Sequence, residues 1–346
     1  MAKLPLYAAG ITASFTILLT AAAAEDAALL KQAQEIFERL PKDLASAEFP
    51  ITRERVELGR SLFFDPRLTV DGNMSCSSCH QPAFYGTDAL PRAIGVKQRP
   101  HPRNAPTVLN SGTLNIIHWR GDRESLEDQV AKAVTSPITS GQPDEKAIID
   151  PRVRGYAPLF TAAFPNDPQP MTVQNIAKAV SAYERTLVTP SPFDAYLAGN
   201  QEALSPAARA GLAKFINTGC VACHNGIGVG GATYQKFGVV EDYWTATGSD
   251  PIDKGRADVT KDPADLYVFR VASLRNVAMT PPYFHDGSVT TLPEAVRVMA
   301  RVQLGVSLSD ADTRDIVAFL EKLTGELPAD FAAAPVLPSG AVVTSK

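Results

Sequence analysis

The apolar residues of this chain recur at intervals of three and four positions, which is the spacing of one face of an α-helix. This pattern predicts a first helix from Asp26 to Leu40 and a second from about Arg53 to Phe64. Polar residues that can cap a helix precede the later apolar segments. The predicted capping residues are Thr52, Ser125, Thr172, Ser205, Thr291 and Ser309.

Alternation of apolar and polar residues, the pattern of a half-buried β-strand, is scarce. The best candidates are two short segments, Val239-Val240 and Tyr267-Val268-Phe269. The fold class is therefore predicted to be mainly α.

Two segments of the chain resemble each other, which predicts two related domains. Each holds a Cys-x-x-Cys-His motif preceded by an amphipathic helix, Arg53–Phe64 before the first and Ala207–Asn217 before the second. A length of 346 residues also suits two domains, at roughly 100–200 residues each. We expect an N-terminal domain over residues 25–190, a C-terminal domain over 191–330 and a tail over 331–346, with residues 190–194 as the linker.

Residues 1–24 have the pattern of a cleaved signal peptide. Lys3 precedes an uncharged stretch from Leu4 to Ala24, which ends in three alanines before Glu25. A retained membrane anchor is the alternative, but polar residues, glycine and proline dilute the hydrophobicity of this stretch. The mature chain is predicted to be exported to the periplasm, without a stable membrane span.

The composition limits the partners of the chain. It is 45% hydrophobic and 20% charged, with a net charge of −4 and no basic run. Because phosphate contacts require clustered lysine and arginine, nucleic-acid binding is disfavoured.

All four cysteines lie in the two motifs, Cys76 and Cys79 before His80, and Cys220 and Cys223 before His224. This placement excludes a disulfide framework. In such a motif both thiols can form thioether bonds with haem while the histidine binds the iron. A zinc site would leave both histidines unexplained, and a redox-active cysteine pair expects a βαβ surround. The motifs therefore predict two covalent c-type haems.

Beyond these two motifs, the chain resembles the bacterial di-haem cytochrome c peroxidase family, which includes the MauG-type protein-oxidising enzymes. The resemblance extends from Leu58-Gly59 to Leu323-Thr324-Gly325. The segments that carry it are Pro102 to Asn110, Trp119, Gln129, Gly219 to Gly226, Phe269 to Asn276, Pro282 to Gly287, Met299 and Gln303 to Gly305.

The resemblance implies a role for each iron ligand. His80 corresponds to the proximal ligand of the peroxide-reactive haem, and His224 to that of the haem that accepts electrons. Met299 lies where the peroxidases place a thioether ligand of this second haem, whereas MauG-type enzymes have a tyrosine. From the spacing alone, core packing beside Ala295 and Val296 is the favoured interpretation of Met299, and only the resemblance favours ligation.

The resemblance also implies three further assignments. Trp119 is expected to bridge the two haems for electron transfer, and anchoring of a domain interface is compatible with that role. Asn104, with the backbone carbonyls of Thr280 and Pro282, matches a calcium site between the domains. Gln129 matches the distal glutamine of the family.

Two departures from the family pattern concern the mechanism. Val96 stands where many of the peroxidases have a capping histidine, which predicts an open reactive haem. His101 is close in sequence and is the candidate substitute, but a solvated loop histidine is the favoured interpretation of it. Thr139 stands where a catalytic glutamate is expected, and a hydroxyl is a poor base. Asp144 and Glu145 are the candidate replacements from the same loop.

The predicted function is reduction of H₂O₂ with electrons from a small cytochrome c or a cupredoxin. A MauG-like enzyme that oxidises tryptophan or tyrosine of a partner protein is the first alternative. A non-catalytic di-haem electron carrier or redox sensor is the second. A homodimer is expected only from the resemblance.

Overall fold

The structure is a computed structural model that describes residues 24–149 and 154–338. Over these residues the chain is mainly helical, as predicted. The predicted signal peptide, except for residue 24, and the end of the predicted tail after residue 338 lie outside the described residues. Within the described ranges, no helix combines the length and apolarity needed to cross a membrane.

Helix α1 covers residues 24–36. The following helices are α2 (Arg53–Phe64), α3 (Cys76–Cys79), α4 (Leu126–Val134), α5 (Glu145–Ile149), α6 (Ala157–Ala163), α7 (Val173–Glu184), α8 (Pro192–Leu197), α9 (Pro206–Asn217), α10 (Tyr243–Thr247), α11 (Ala257–Thr260), α12 (Leu292–Leu304), α13 (Asp310–Glu321) and α14 (Ala329–Ala332).

The six predicted helix starts are confirmed, and five of them use the predicted side-chain cap. In these five, the hydroxyl oxygen accepts a hydrogen bond from the backbone N–H three residues later, which satisfies one otherwise free donor. The exception is Thr291, whose side chain makes no capping bond. The five capping residues are Thr52, Ser125, Thr172, Ser205 and Ser309.

The predicted end of the first helix at Leu40 is wrong, because the helix ends at residue 36. The backbone beyond it is held by tertiary contacts instead. The Leu40 N–H donates to Asp194 Oδ1 at 2.8 Å, and the Glu38 carbonyl accepts from Arg275 Nη2 at 3.1 Å. Pro41 also disfavours helical geometry at the residue before it.

The two strands, β1 (Tyr234–Lys236) and β2 (Val268–Arg270), form one antiparallel pair. Strand β2 overlaps the predicted segment 267–269. The strand predicted at Val239-Val240 is wrong, because both side chains are exposed and the Val240 N–H donates to the carbonyl of Val302 in α12.

The buried apolar side chains form two clusters, which we call the N-terminal core and the C-terminal core. Helices α2, α4 and α7 pack around the first, and α9, α12 and α13 around the second. Residues near each end of the described part of the chain pack against the opposite core: Ala33 and Phe37 join the C-terminal core, and Phe331 joins the N-terminal core. The predicted boundary near residue 190 therefore does not separate every element of the two cores.

A glycine permits the closest helix contact in each core. A Cβ atom at Gly59 in α2 would lie 1.9 Å from the Ala179 carbonyl oxygen in α7. A Cβ atom at Gly211 in α9 would lie 1.8 Å from the Asp315 carbonyl oxygen in α13. Because both distances are far below van der Waals contact, no larger residue fits at either position without moving a helix.

Candidate functional site

The two Cys-x-x-Cys-His motifs fold as similar backbone turns. In the first, the His80 N–H donates to the Cys76 carbonyl at 3.0 Å; in the second, the His224 N–H donates to the Cys220 carbonyl at 3.0 Å. The first turn is α-helical and the second is a 3₁₀ turn over Cys220–Ala222. The fold therefore brings two thiols and one imidazole together at each site.

All four cysteines are free and only partly accessible. Burial raises the pKa of Cys76 to about 12, and raises the pKa of Cys79 and of Cys220 to about 11. Reactive cysteines of redox pairs have a lowered pKa, because the thiolate is the nucleophile. The environment of these thiols therefore does not support the redox-pair alternative.

His80 is oriented by one backbone contact. Its Nδ1 atom lies 3.0 Å from the Gly86 carbonyl oxygen, so Nδ1 carries the proton and Nε2 keeps its lone pair. Burial lowers the pKa of His80, which favours the neutral imidazole. A neutral ring with a fixed tautomer is the form that binds a metal ion.

His224 has a different surround. Its Nδ1 atom is buried and has no hydrogen-bond partner among the described residues. Burial lowers the pKa of His224 to about 4, while the carbonyls of Val229 and Ala272, close but outside hydrogen-bond geometry, oppose the shift. A Cβ atom at Gly230 would lie 3.0 Å from His224 Nδ1, and φ is +109° there, so glycine is required beside the ring.

A cavity of about 350 Å³ connects the second motif to helix α12. Its lining includes Cys220, Cys223 and His224 from the motif, and Met299 with Ala295 and Val296 from α12. His224 is half-buried and lines this cavity. A mostly apolar cavity with a neutral imidazole, two thiols and a thioether has the donor set that a covalently attached haem requires.

Trp119 lies between this cavity and a second one of about 90 Å³, because it lines both. Its indole Nε1 donates to the Asn104 carbonyl at 3.0 Å. The wall of the smaller cavity also contains Pro106 and Thr107, and Thr107 Oγ1 donates to the Tyr85 carbonyl next to the His80 loop. Trp119 thus borders both the cavity of the second motif and the smaller cavity.

The three residues of the predicted calcium site, Asn104, Thr280 and Pro282, line the smaller cavity together. No aspartate or glutamate is part of that lining. The described residues also contain no cluster of three His, Cys, Asp or Glu side chains suited to a metal ion. Any cation bound there would depend on neutral oxygen ligands and water.

Val96 is completely buried in the loop beside the first motif. The loop is anchored to both sides: the Val96 N–H donates to the Ile138 carbonyl at 2.9 Å, and Cys79 Sγ lies 3.7 Å from the Ile94 carbonyl. Since a valine side chain has no donor atom, position 96 supplies no iron ligand.

The predicted distal residues lie on the adjoining elements. Gln129 projects from α4, and its Oε1 atom is buried without a partner among the described residues. Thr139 is half-buried, and its backbone N–H donates to Ser136 Oγ at 3.1 Å. The suggestion that Asp144 or Glu145 replaces the missing glutamate is wrong, because both are exposed and Asp144 caps helix α5 through the Ala147 N–H.

Several buried charged residues were not singled out by the sequence analysis, and two of them, Arg270 and Glu184, lie close to the motif residues. Arg270 lines both cavities, and Glu184 ends helix α7 close enough to Cys76 to influence the thiol. Each belongs to a segment that carries the family resemblance or a helical pattern, but only tertiary packing shows that it is buried.

The chain is similar to a family of known proteins. A family profile described as di-haem cytochrome c peroxidase matches residues 53–202. The chain is 40% identical over 324 residues to cytochrome c551 peroxidase of Pseudomonas aeruginosa, covering 92% of both chains. It is 41% identical over 293 residues to cytochrome c551 peroxidase of Nitrosomonas europaea, covering 84% of this chain and 85% of the relative.

One solved structure has a closely similar fold. It is a MauG-like protein associated with microbial copper homeostasis, with a TM-score of 0.75 and 30% sequence identity. The match covers 86% of this chain and 97% of that protein. The chain belongs to the di-haem cytochrome c peroxidase family, and it is an oxidoreductase of that class.

Proposed function

We propose that this protein reduces H₂O₂ to water with electrons from a small cytochrome c or cupredoxin, using two covalently bound c-type haems. The observation that carries the proposal is an asymmetry between the two sites. His224 shares one cavity with Met299, whereas the loop beside the His80 site presents the ligand-free side chain of Val96. Such an asymmetry suits one electron-storing site and one site open to peroxide.

The N-terminal site would hold its haem through Cys76, Cys79 and His80. When bound, haem iron supplies the electron transfer to peroxide. The Gly86 carbonyl accepts the His80 Nδ1 proton, which fixes the ring and increases the basicity of Nε2. Buried Val96 keeps this side of the site apolar and offers no side-chain ligand to the iron.

Proton movement at this site would depend on Gln129 and Thr139. The free Oε1 of Gln129 can accept a hydrogen bond from the hydroxyl of peroxide. Thr139 can donate and accept a hydrogen bond but cannot store a proton at neutral pH. We therefore expect slower peroxide turnover than a site with a glutamate at position 139 would give.

The C-terminal site would hold its haem through Cys220, Cys223, His224 and Met299. The thioether of Met299 favours ferrous iron, which suits storage of an electron received from the donor protein. Trp119, which lines both cavities, would carry the electron between the sites.

We further propose that Asn104, Thr280 and Pro282 bind Ca²⁺ through one carboxamide oxygen and two backbone carbonyls. Their common position on the smaller cavity supports this assignment. Because the lining has no carboxylate and includes the cations Arg270 and Arg275, affinity should be no tighter than the about 10⁻⁴–10⁻³ M of weak Ca²⁺ sites.

The cell compartment and assembly follow from the same proposal. Covalent c-type haems and the signal-peptide pattern of residues 1–24 support a periplasmic enzyme that meets a soluble electron donor. We include a homodimer as part of the proposal.

A peroxidase assay tests the main proposal. The purified di-haem protein is half-reduced and mixed with reduced cytochrome c and H₂O₂, and oxidation of the cytochrome is followed. We expect catalytic turnover and a high-spin signal from the N-terminal haem in the oxidised protein. Absence of turnover with both haems present, or a wholly low-spin oxidised spectrum, would contradict the proposal.

A MauG-like activity is the second candidate, because Val96 and Thr139 both depart from the peroxidase pattern. Addition of peroxide to the oxidised protein, with a tryptophan- or tyrosine-containing partner and no electron donor, tests it. Cross-linked or hydroxylated side chains in the partner, detected by mass spectrometry, would favour this candidate over the peroxidase.

A further inference from the structure

Arg270, at the end of strand β2, is a buried cation without an anionic partner. Only 4% of the residue is exposed. Its side chain donates to two backbone carbonyls, from Nε to His118 at 3.2 Å and from Nη1 to Val271 at 3.4 Å. Among the described residues, no carboxylate pairs with it, and neither of these two bonds uses Nη2.

Arg275, five positions further along the chain, is a buried arginine that does have an anionic partner. Its Nη1 and Nη2 atoms donate to the two carboxylate oxygens of Asp194 at 2.9 and 3.1 Å. Burial lowers the pKa of both arginines, but only for Arg275 does a carboxylate oppose the shift. Burial of an unpaired charge is costly, so Arg270 requires an anion that the polypeptide does not provide.

The position of Arg270 indicates where that anion would lie. Arg270 lines both cavities, and the larger one, of about 350 Å³ against about 90 Å³, contains His224 and Met299 and has the room for a large ligand. Among the described residues that line this larger cavity, Arg270 is the buried one with a permanent charge. Lys236, the other cation of the lining, is only half-buried. The rest of the wall is mostly apolar. This combination fits a large apolar ring that carries acidic side chains.

We propose that Arg270 binds a propionate carboxylate of the C-terminal haem and thereby sets the reduction potential of that haem. The inference rests on the proposed function in one respect, that the cavity holds a haem. The planar guanidinium can donate two parallel hydrogen bonds to a carboxylate. Arg270 is therefore a positioning residue that keeps the propionate ionised and fixed.

The same residue is attached to the predicted electron bridge. The Arg270 N–H donates to the Trp119 carbonyl at 2.8 Å, and its guanidinium carbon lies 5.7 Å from the centre of the Trp119 ring. A change in the charge at Arg270 therefore acts next to the residue between the two sites.

The test is potentiometric titration of both haems in the full di-haem protein and in the variants Arg270→Gln, Arg270→Lys and Arg301→Gln. Without the cation, the propionate charge stabilises ferric iron. For Arg270→Gln we expect the ferrous-to-ferric ratio of the C-terminal haem to fall at least about tenfold at a fixed ambient potential, which is about 59 mV for one electron. The fall should increase with pH as the propionate ionises.

The two other variants separate charge from structure. Arg270→Lys keeps the cation and should restore most of the potential. Arg301 lies in α12 with Met299 but is 56% exposed and paired with Glu241. Its replacement by glutamine should leave the potential unchanged, because solvent screens a surface charge.

An unchanged potential in Arg270→Gln would overturn the inference. If that variant does not fold, the wild-type protein still decides: its C-terminal haem should have a potential that is constant across neutral pH. A fall of about 59 mV per pH unit there would mean that the propionate is not held ionised, and it would also overturn the inference. Potentials do not require turnover, so an inactive wild-type protein with the expected potentials would reject only the peroxidase proposal.

Discussion

The two Cys-x-x-Cys-His turns share one backbone hydrogen bond but differ in what surrounds the histidine. His80 has its Nδ1 atom paired with the Gly86 carbonyl, next to a loop that presents buried Val96. His224 has an unpaired Nδ1 atom and shares its cavity with Met299. The motif therefore specifies attachment, whereas the neighbouring loop or helix specifies what each site can do.

The buried charges differ in the same way. Helix α7, which packs around the N-terminal core, contains Glu184, an acid whose pKa burial raises to about 8. The cavity of the C-terminal site contains Arg270, a cation. Two sites built from one motif can thus respond differently to pH and to an added electron.

The largest effect is expected from His80→Gly. Loss of a residue that only hydrogen-bonds to a metal ligand typically costs about 10–100-fold in activity. Loss of the proximal ligand itself should lower peroxide turnover by more than that. The C-terminal haem should keep its spectrum, because His224 and Met299 belong to a separate cavity. Steady-state assays and spectra measure both. Equal turnover in His80→Gly and the wild type would mean that the reactive site is elsewhere.

Met299→Leu should change only the other site. Leucine nearly conserves volume and should cost less than about 1.5 kcal/mol of stability, but it provides no thioether. We expect the C-terminal haem to become high-spin when oxidised and its potential to fall by more than about 59 mV. Val298→Ile, on the same helix but in the core, serves as the control. A low-spin spectrum that survives in Met299→Leu would show that Met299 only packs.

Trp119→Phe tests the connection between the sites. An aromatic ring remains, but the hydrogen bond to the Asn104 carbonyl is lost. We expect electron transfer between the haems to slow by less than about tenfold, equivalent to 1.4 kcal/mol of activation free energy. Stopped-flow reduction followed by a peroxide pulse measures it. Trp244→Phe is the matched control, since these are the two tryptophans of the chain and Trp244 lines neither cavity. The same slowing in both variants would argue against a bridge at Trp119.

Glu184→Gln should have the smallest effect, on stability alone. Burial raises the pKa of Glu184 from 4.5 to about 8, so the folded protein holds the proton more tightly than the unfolded chain does. As pH rises between these values, the free energy of unfolding should fall, by at most about 1.4 kcal/mol per pH unit. Urea unfolding at several pH values should show a smaller slope in Glu184→Gln. Exposed Glu57→Gln should keep the wild-type slope, and a slope that persists in Glu184→Gln would refute this assignment.

The sequence predicted much of this molecule because its signals are local. Helix starts at Thr52, Ser125 and Ser309 depend on one side chain and a backbone N–H three residues later. The two motifs are likewise local, since five consecutive residues form each turn. The mainly α class and the family membership follow from such segments.

Other features were set by contacts between distant segments. The first helix ends at residue 36 because Asp194 and Arg275, far along the chain, bind the backbone that follows. Val239 and Val240 do not form a strand, because the Val240 N–H bonds to helix α12 and the strand that pairs with β2 is β1. The position of Asp144 in the sequence made it a candidate to replace the missing glutamate. In the structure its carboxylate caps helix α5 instead.

By itself, the sequence determined the helical class, the family and the two attachment points, because each depends on residues that are neighbours in the chain. Only the tertiary structure decided that Met299 shares a cavity with His224, that Trp119 lies between two cavities and that Arg270 is buried without an anion. Burial and pairing are properties of all the segments that meet at a point. No single segment of sequence contains them.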